Sequence, residues 1–175
     1  MLRGPNLWSR HTALEAIVTC EVNERSIDAI PQFETKIRER FPQLGSMRRG
    51  GITDPLSLAN ALEHAALGLQ AQAGCPVTFS RTVQTVDEGV YQVVVEYIEE
   101  VVGRMAFDFA FALIQATLND APFDLAAALA ELEALYEDVR LGPSTGSIVD
   151  AALQRNIPYR RMTEGSMVQF GWGSK

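Results

Sequence analysis

The sequence predicts an α+β fold, an antiparallel sheet covered by several helices, and three observations carry that expectation. Two strand-like runs, Pro76 to Val86 and Val90 to Glu99, flank Asp87-Glu88-Gly89, a tripeptide with hairpin chemistry. Leu58, Leu62, Ala65, Ala66 and Leu69 fall on one helical stripe. Two further helical runs, 100–119 and 123–139, follow the hairpin.

In chain order, residues 1–12 read as irregular, punctuated by Gly4-Pro5. Ala13 to Val22 is dense in β-branched residues and reads as the first strand, with either the Leu14, Ala16, Val18 side or the Ile17 side turned inward. Pro31 opens a helix whose Phe33, Ile37 and Phe41 share a face, and Pro42 closes it. The stretch 45–53, GSMRRGGIT, is a basic loop. Asp54-Pro55 has the form of an N-cap followed by proline at the first helical position, and Gly74 ends that helix, so it spans 55–73. On the second hairpin strand Tyr91, Val93, Val95 and Tyr97 share one face, with Gln92, Val94, Glu96 and Ile98 on the other. The helix over 100–119 is apolar nearly all round and should be central. Asn119-Asp120-Ala121-Pro122 separates it from an Ala/Leu/Glu helix with an acidic outer face. Leu141-Gly142-Pro143-Ser144 reads as a linker, Ser147 to Gln154 as a short helix, and Tyr159 to Met162 and Met167 to Phe170 as two short strands.

The 175 residues suit one domain, or one domain plus a short piece of the next. With 47% apolar and 21% charged residues the chain is ordinary globular material, and neither disulfide nor structural metal is needed to fold it. A net charge of −7 argues against a general nucleic-acid partner, because phosphate contacts need clustered Lys and Arg. Cys20 and Cys75 have no CxxC partner and read as buried free thiols, as expected in the cytoplasm. The opening MLRGPNLWSRH lacks an apolar core, so no signal peptide is expected. Gly103, Arg104 and Asp108 interrupt the apolar run from Val101 to Leu118, so no membrane association is expected. The chain stops just after a strand, which suggests a piece of a longer protein.

Asn60-Ala61-Leu62-Glu63-His64 is the main candidate for chemistry, because positions 60, 63 and 64 project from one side of a helix. His-x-x-Glu-His at this spacing puts two imidazoles on zinc and a carboxylate beside the metal-bound water. Asn60 stands where the first imidazole belongs, and a neutral amide oxygen is a poor zinc ligand. Glu96 is a candidate third ligand, and Asn60, His64 and Glu96 together read as a degenerate metal site with no metal expected. Glu63 and His64 read more readily as polar surface or a hydrogen-bonded pair than as metal-site residues, and Glu96 more readily as a solvent-facing strand residue than as a ligand. Arg48-Arg49-Gly50-Gly51 could cradle an anion but lacks both P-loop and GxGxxG spacing. His11 and His64 are the only histidines, and no nucleophile constellation can be assembled around them. Trp8 and Trp172 lie near the two ends and suit packing or an interface.

Taken in order, several segments resemble the N-terminal region of the cyanophycin synthetase family: Leu2-Arg3-Gly4-Pro5-Asn6-Leu7-Trp8-Ser9, Arg49-Gly50-Gly51, Leu62-Glu63-His64-Ala65-Ala66-Leu67, Gly89-Val90-Tyr91-Gln92-Val93-Val94-Val95-Glu96-Tyr97, Leu141-Gly142-Pro143-Ser144-Thr145 and Gln169-Phe170-Gly171-Trp172-Gly173. The resemblance implies an accessory N domain over 1–141 and, over 142–175, a linker and the truncated start of an ATP-grasp domain. It also implies a parent ligase that polymerises aspartate and arginine, using ATP and magnesium in domains downstream, with no cofactor in this piece. The expected role is to bind the Asp/Arg polymer cyanophycin and to support a homo-oligomer, a tetramer in the parent enzyme. Some members of the family cut the polymer into primers at a metal site on the His-x-x-Glu-His helix. Asn60 departs from that pattern, so Glu63, His64 and Glu96 are expected to be vestigial and the piece non-catalytic. Arg48, Arg49 and Arg81 are candidates to meet the polymer's carboxylates, and Glu99, Glu100, Glu131 and Asp138 its guanidinium groups. A zinc-dependent hydrolase and a purely structural oligomerisation module are the competing readings.

Overall fold

The computed structural model describes the whole chain except residues 3–5, 10, 46, 48–54, 156, 164 and 172–175. It is α+β, and the chain divides into two compact units, Met1–Tyr136 and Glu137–Lys175. The first unit begins with strand β1 (Ala13–Thr19) and helix α1 (Phe33–Arg40), followed by helix α2 (Leu58–Gln72). Strands β2 (Ser80–Gln84) and β3 (Val90–Glu96) form the hairpin, and helix α3 (Glu100–Leu118) follows. Helix α4 (Leu125–Val139) runs up to and past the boundary between the units.

The three strands form one antiparallel sheet in the order β1-β3-β2, which the sequence left undetermined. Val93, Val94 and Val95 of the central strand are fully or almost fully buried. In β1 the open choice of face is settled: Leu14 is buried and Ile17 is 63% exposed. The strand stops at Thr19, short of the expected Val22, because the chain turns into a 3-10 segment over Val22–Glu24. Before that turn, the Cys20 N–H reaches the carbonyl of Gly89, a residue at φ 79° in the hairpin turn. Four residues are missing from the expected start of β2, and the reason is chemical. Pro76 has no N–H, Val77 N–H turns back to Cys75, and the N–H groups of Thr78 and Phe79 are taken by a side chain, Glu96.

The helices show similar local control. α2 starts at Leu58, not 55, because Ser57 is its N-cap, and Asp54 lies outside the described residues. Gln32, in the left-handed region at φ 58°, precedes α1, which therefore opens two residues after Pro31. α1 is tied to the α3–α4 turn, where the Lys36 ammonium lies 2.7 Å from Asp120 Oδ1 and holds that carboxyl below its ordinary range. α3 is buried along one side only, through Val102, Gly103, Ala106, Ala110, Leu113, Ile114, Ala116 and Thr117. The expectation of a wholly central helix is thus corrected: Val101 is 49% and Phe111 54% exposed. By length and mean hydropathy (1.4 over its most apolar window) α3 would suffice to cross a membrane, yet its inner side packs on α1 and α2 as a core helix does.

Gly103 marks the tightest point of that packing. A β-carbon there would sit 2.6 Å from Cβ of Tyr97, an atom fixed to its own backbone. Alanine in place of a mid-helix glycine ordinarily gains about 1 kcal/mol, but overpacking costs about 1–3 kcal/mol, and here the obstacle cannot swing aside. Gly103→Ala is expected to lower the unfolding free energy by about 1–2 kcal/mol in urea titrations. A stabilised variant would show that α3 and the Tyr97 segment can part freely.

Cys20 and Cys75 are free and buried, and burial pushes the Cys75 thiol up to about 11 and raises that of Cys20. The native protein should therefore resist alkylation at pH 8 and react only on unfolding. Because the folded state holds the Cys75 proton more tightly than the unfolded chain does, its contribution is complete below pH 9 and is lost as pH climbs towards about 11. That loss is about 2–3 kcal/mol, and a Cys75→Ala variant should show a flatter alkaline stability profile.

The second unit contains helix α5 (Pro143–Leu153) and the antiparallel pair β4 (Tyr159–Arg161) and β5 (Val168–Phe170). The 141–144 segment read as a linker is instead half helix. Proline at the first helical position has no N–H to waste, so Pro143 starts α5 four residues earlier than Ser147.

Candidate functional site

The candidate positions lie on α2, at the end of β3 and around the sheet edge. Asn60 is the third residue of α2, where its amide completes a capping box with Ser57. Ser57 N–H and Ser57 Oγ both donate to Asn60 Oδ1, at 3.0 and 2.9 Å, and Asn60 N–H lies 3.4 Å from Ser57 Oγ. The amide that stands where the hydrolase pattern has an imidazole is therefore a structural part of the helix terminus. One turn on, Glu63 is buried at 3% exposure and His64 is half-buried.

Glu96 occupies a different place. Thr82, which pairs with Val93 in the sheet, turns its hydroxyl to the Ala59 carbonyl of α2 at 3.5 Å. Alternation then puts Val93 and Val95 on the α2 side and Glu96 on the opposite side of β3. Where β3 does approach α2, it is Gln70 that donates to the Glu96 carbonyl, at 2.9 Å, and Gln70 lies about 15 Å along the helix from Asn60. The structure does not bring Glu96 onto the Asn60–His64 face. Among the described residues, no three His, Cys, Asp or Glu side chains cluster as metal ligands would.

The Glu96 carboxylate is engaged on both oxygens. Its Oε2 accepts from the N–H groups of Thr78 and Phe79, each at 2.7 Å, and its Oε1 lies 3.0 Å from Nδ1 of His11. Glu96 is 3% exposed and His11 53%. Thus one side chain joins the β2 approach, the end of β3 and the N-terminal segment. Elsewhere in that segment Trp8 Nε1 donates to Glu15 at 3.1 Å, on the face opposite α2, and Leu2 pairs through its backbone with Ala13 along the β1 edge. The role of His11 escaped sequence reasoning, because its partner lies 85 positions away and no local spacing announces the pair.

The candidate polymer contacts are dispersed. Arg81 is exposed on β2, which forms one edge of the sheet. Glu99 occupies the N-cap position of α3 without a side-chain capping bond, and exposed Glu100 pairs with Arg104 at 2.9 Å in an i,i+4 contact. Glu131 and Asp138 are exposed on α4. Arg48 and Arg49 lie outside the described residues, as does Trp172, while Met47 of the same basic loop is buried at 1% exposure.

Comparison with known proteins assigns the scaffold. The family described as the cyanophycin synthase-like N-terminal domain matches residues 15–119, from β1 to the end of α3. Over 188 aligned residues the chain is 35% identical to the cyanophycin synthetase of Geminocystis herdmanii, covering 99% of this chain and 22% of that protein. It is 34% identical to that of Trichormus variabilis and 33% to that of Synechocystis sp., each across 98% of the chain and 21% of the relative. The chain therefore spans about a fifth of the length of the relatives it matches. With the sheet, α1, α2 and α3 inside the family match and nearly all of the chain's length aligned to the relatives, the chain belongs to the cyanophycin synthase-like N-terminal domain family.

Proposed function

We propose that this chain is the accessory N domain of a cyanophycin-synthetase-like, ATP-dependent ligase, and that it binds the Asp/Arg polymer and supports a tetrameric parent enzyme without itself catalysing. The observation that carries the non-catalytic part is the amide of Asn60, committed to the Ser57 cap and separated from Glu96 by the sheet. A side chain already accepting two hydrogen bonds at a helix terminus is a poor substitute for a zinc-binding imidazole. In this reading ATP and magnesium act in domains beyond the lead-in over 142–175, and the protein works in the cytoplasm.

Arg81 on the sheet edge and Glu99 and Glu100 at the start of α3 are the contacts proposed for the polymer's carboxylates and guanidinium groups. Arg48 and Arg49 join Arg81 in that role. Each such exposed pair contributes about 0–1 kcal/mol, so recognition has to be spread over many repeats.

The test is a titration of the 175-residue chain with purified polymer, followed by chain-length measurement after incubation with zinc. Binding without shortening is expected, and Arg81→Glu should weaken binding roughly threefold to tenfold. Shortened chains, or zinc retained at one equivalent per chain, would favour the zinc-dependent hydrolase. No binding at all would leave only the structural oligomerisation module.

A further inference from the structure

The outer face of α3 is apolar and charged at once. Glu100, Val101, Arg104, Asp108, Phe111 and Ala112 are all exposed, and Phe111 leaves more than half of its surface in water. Beside this face an open depression of about 280 Å³ lies between α3 and β1, lined by Leu14, Glu15, Ala16, Arg104, Phe107 and Asp108 together with Met1. This face also has an internal symmetry. Val101 and Phe111 stand five residues either side of Ala106, and Arg104 and Asp108 stand two residues either side of it.

We infer that this face pairs antiparallel with the same face of a second copy of the chain, about a two-fold axis level with Ala106. In that arrangement Val101 of each copy faces Phe111 of the other, and Arg104 of each faces Asp108 of the other. A two-fold contact repeats every pair, so two apolar and two ionic contacts form from four positions. Parallel pairing would set Arg104 against Arg104 and Asp108 against Asp108, so charge alone selects the antiparallel arrangement. The intramolecular pair with Glu100 uses two of the five guanidinium N–H groups of Arg104, through Nε and Nη2, and leaves three for a second carboxylate. A membrane is the poorer occupant, since Glu100, Arg104 and Asp108 would all have to leave water. The Asp/Arg polymer would match the charges but leave Val101 and Phe111 uncovered.

This inference deepens the assembly half of the proposed function and rests on it, while Arg81, on the sheet edge, lies on a different element from the pairing face and reports polymer binding separately. Sedimentation velocity on the 175-residue chain, over a range of concentrations, is expected to show a monomer–dimer equilibrium. Arg104→Asp alone and Asp108→Arg alone should each weaken it about tenfold or more, because each sets like charges together twice. Mixing the two variants one to one should restore association, since each then supplies the charge the other lacks. Phe111→Ser should weaken dimerisation as well. All three positions are exposed, so at concentrations where the wild type is monomeric thermal melts should change little, and binding that depends on Arg81 should persist. A monomer at every concentration, a dimer indifferent to the single reversals, or a mixture that fails to recover would overturn the proposal. So would flotation of the wild-type chain with phosphatidylcholine vesicles in place of self-association. If polymer binding fails while the mixture recovers, the polymer reading is wrong and the interface stands.

Discussion

Replacing Glu96 by alanine is expected to lower the unfolding free energy by about 3–5 kcal/mol, the largest effect of any single change considered. Glu96 is nearly fully buried, and its carboxylate satisfies two backbone N–H groups that have left the β2 ladder. Hydrogen bonds to a charged group contribute about 1.5–3 kcal/mol each, and truncation leaves both donors unpaired as well as a void. Glu96→Gln separates charge from shape, for an amide oxygen can still accept from Thr78 and Phe79, and its cost should be about 1–2 kcal/mol. His11→Ala should cost under about 1 kcal/mol, because the imidazole is half in water. Urea denaturation of the three variants gives the ranking, and amide exchange at Thr78 and Phe79 localises it. If Glu96→Ala matched His11→Ala, the two backbone bonds would not be what holds this corner, and the account of why β2 begins at Ser80 would fall with it.

The legible parts of the sequence were those in which a local rule agrees with the tertiary outcome. Asp87-Glu88-Gly89 with flanking β-branched runs gave the hairpin, and the Leu58–Leu69 stripe gave α2 with its buried side correct. Boundaries failed where a long-range partner intervened. Thr78 and Phe79 look like strand, but their N–H groups answer to Glu96 instead of a neighbouring strand. The start of α2 was readable in principle, because Ser57 and Asn60 have capping-box spacing, although Asn60 drew attention as a lost ligand instead. α3 misled through composition. Alanine, phenylalanine and valine all round suggest a central helix, but α1 and α2 cover only one side, and nothing local says which phenylalanine stays in water. The position of Glu96 relative to α2 depended on sheet order, which periodicity does not encode.

The polymer should bind more tightly, by about tenfold or more, as a long chain than as a single Asp-Arg unit, chiefly because its many registers can each engage the proposed contacts. Arg81 lies on the sheet edge, Glu99 and Glu100 at the start of α3. Each is a surface group that gains about 0–1 kcal/mol from an opposite charge, so one unit engaging one or two of them should bind no more tightly than about millimolar. A second unit on the same chain arrives at an effective concentration near millimolar, and every register of a repeating polymer offers another way to engage. Because the contacts are exposed, the advantage should shrink sharply between about 0.05 and 0.5 M salt, as the screening length falls from more than 10 Å to a few. Fluorescence titrations with size-fractionated polymer at both salt concentrations measure the length dependence and its screening together. Equal affinity for unit and polymer would require one enclosed pocket reading one unit, and then charge reversal at Arg81 or Glu100 would matter little. A length dependence that survived high salt would point to apolar or backbone pairing along the β2 edge instead of ion pairs, and would move the binding surface from side chains to the strand itself.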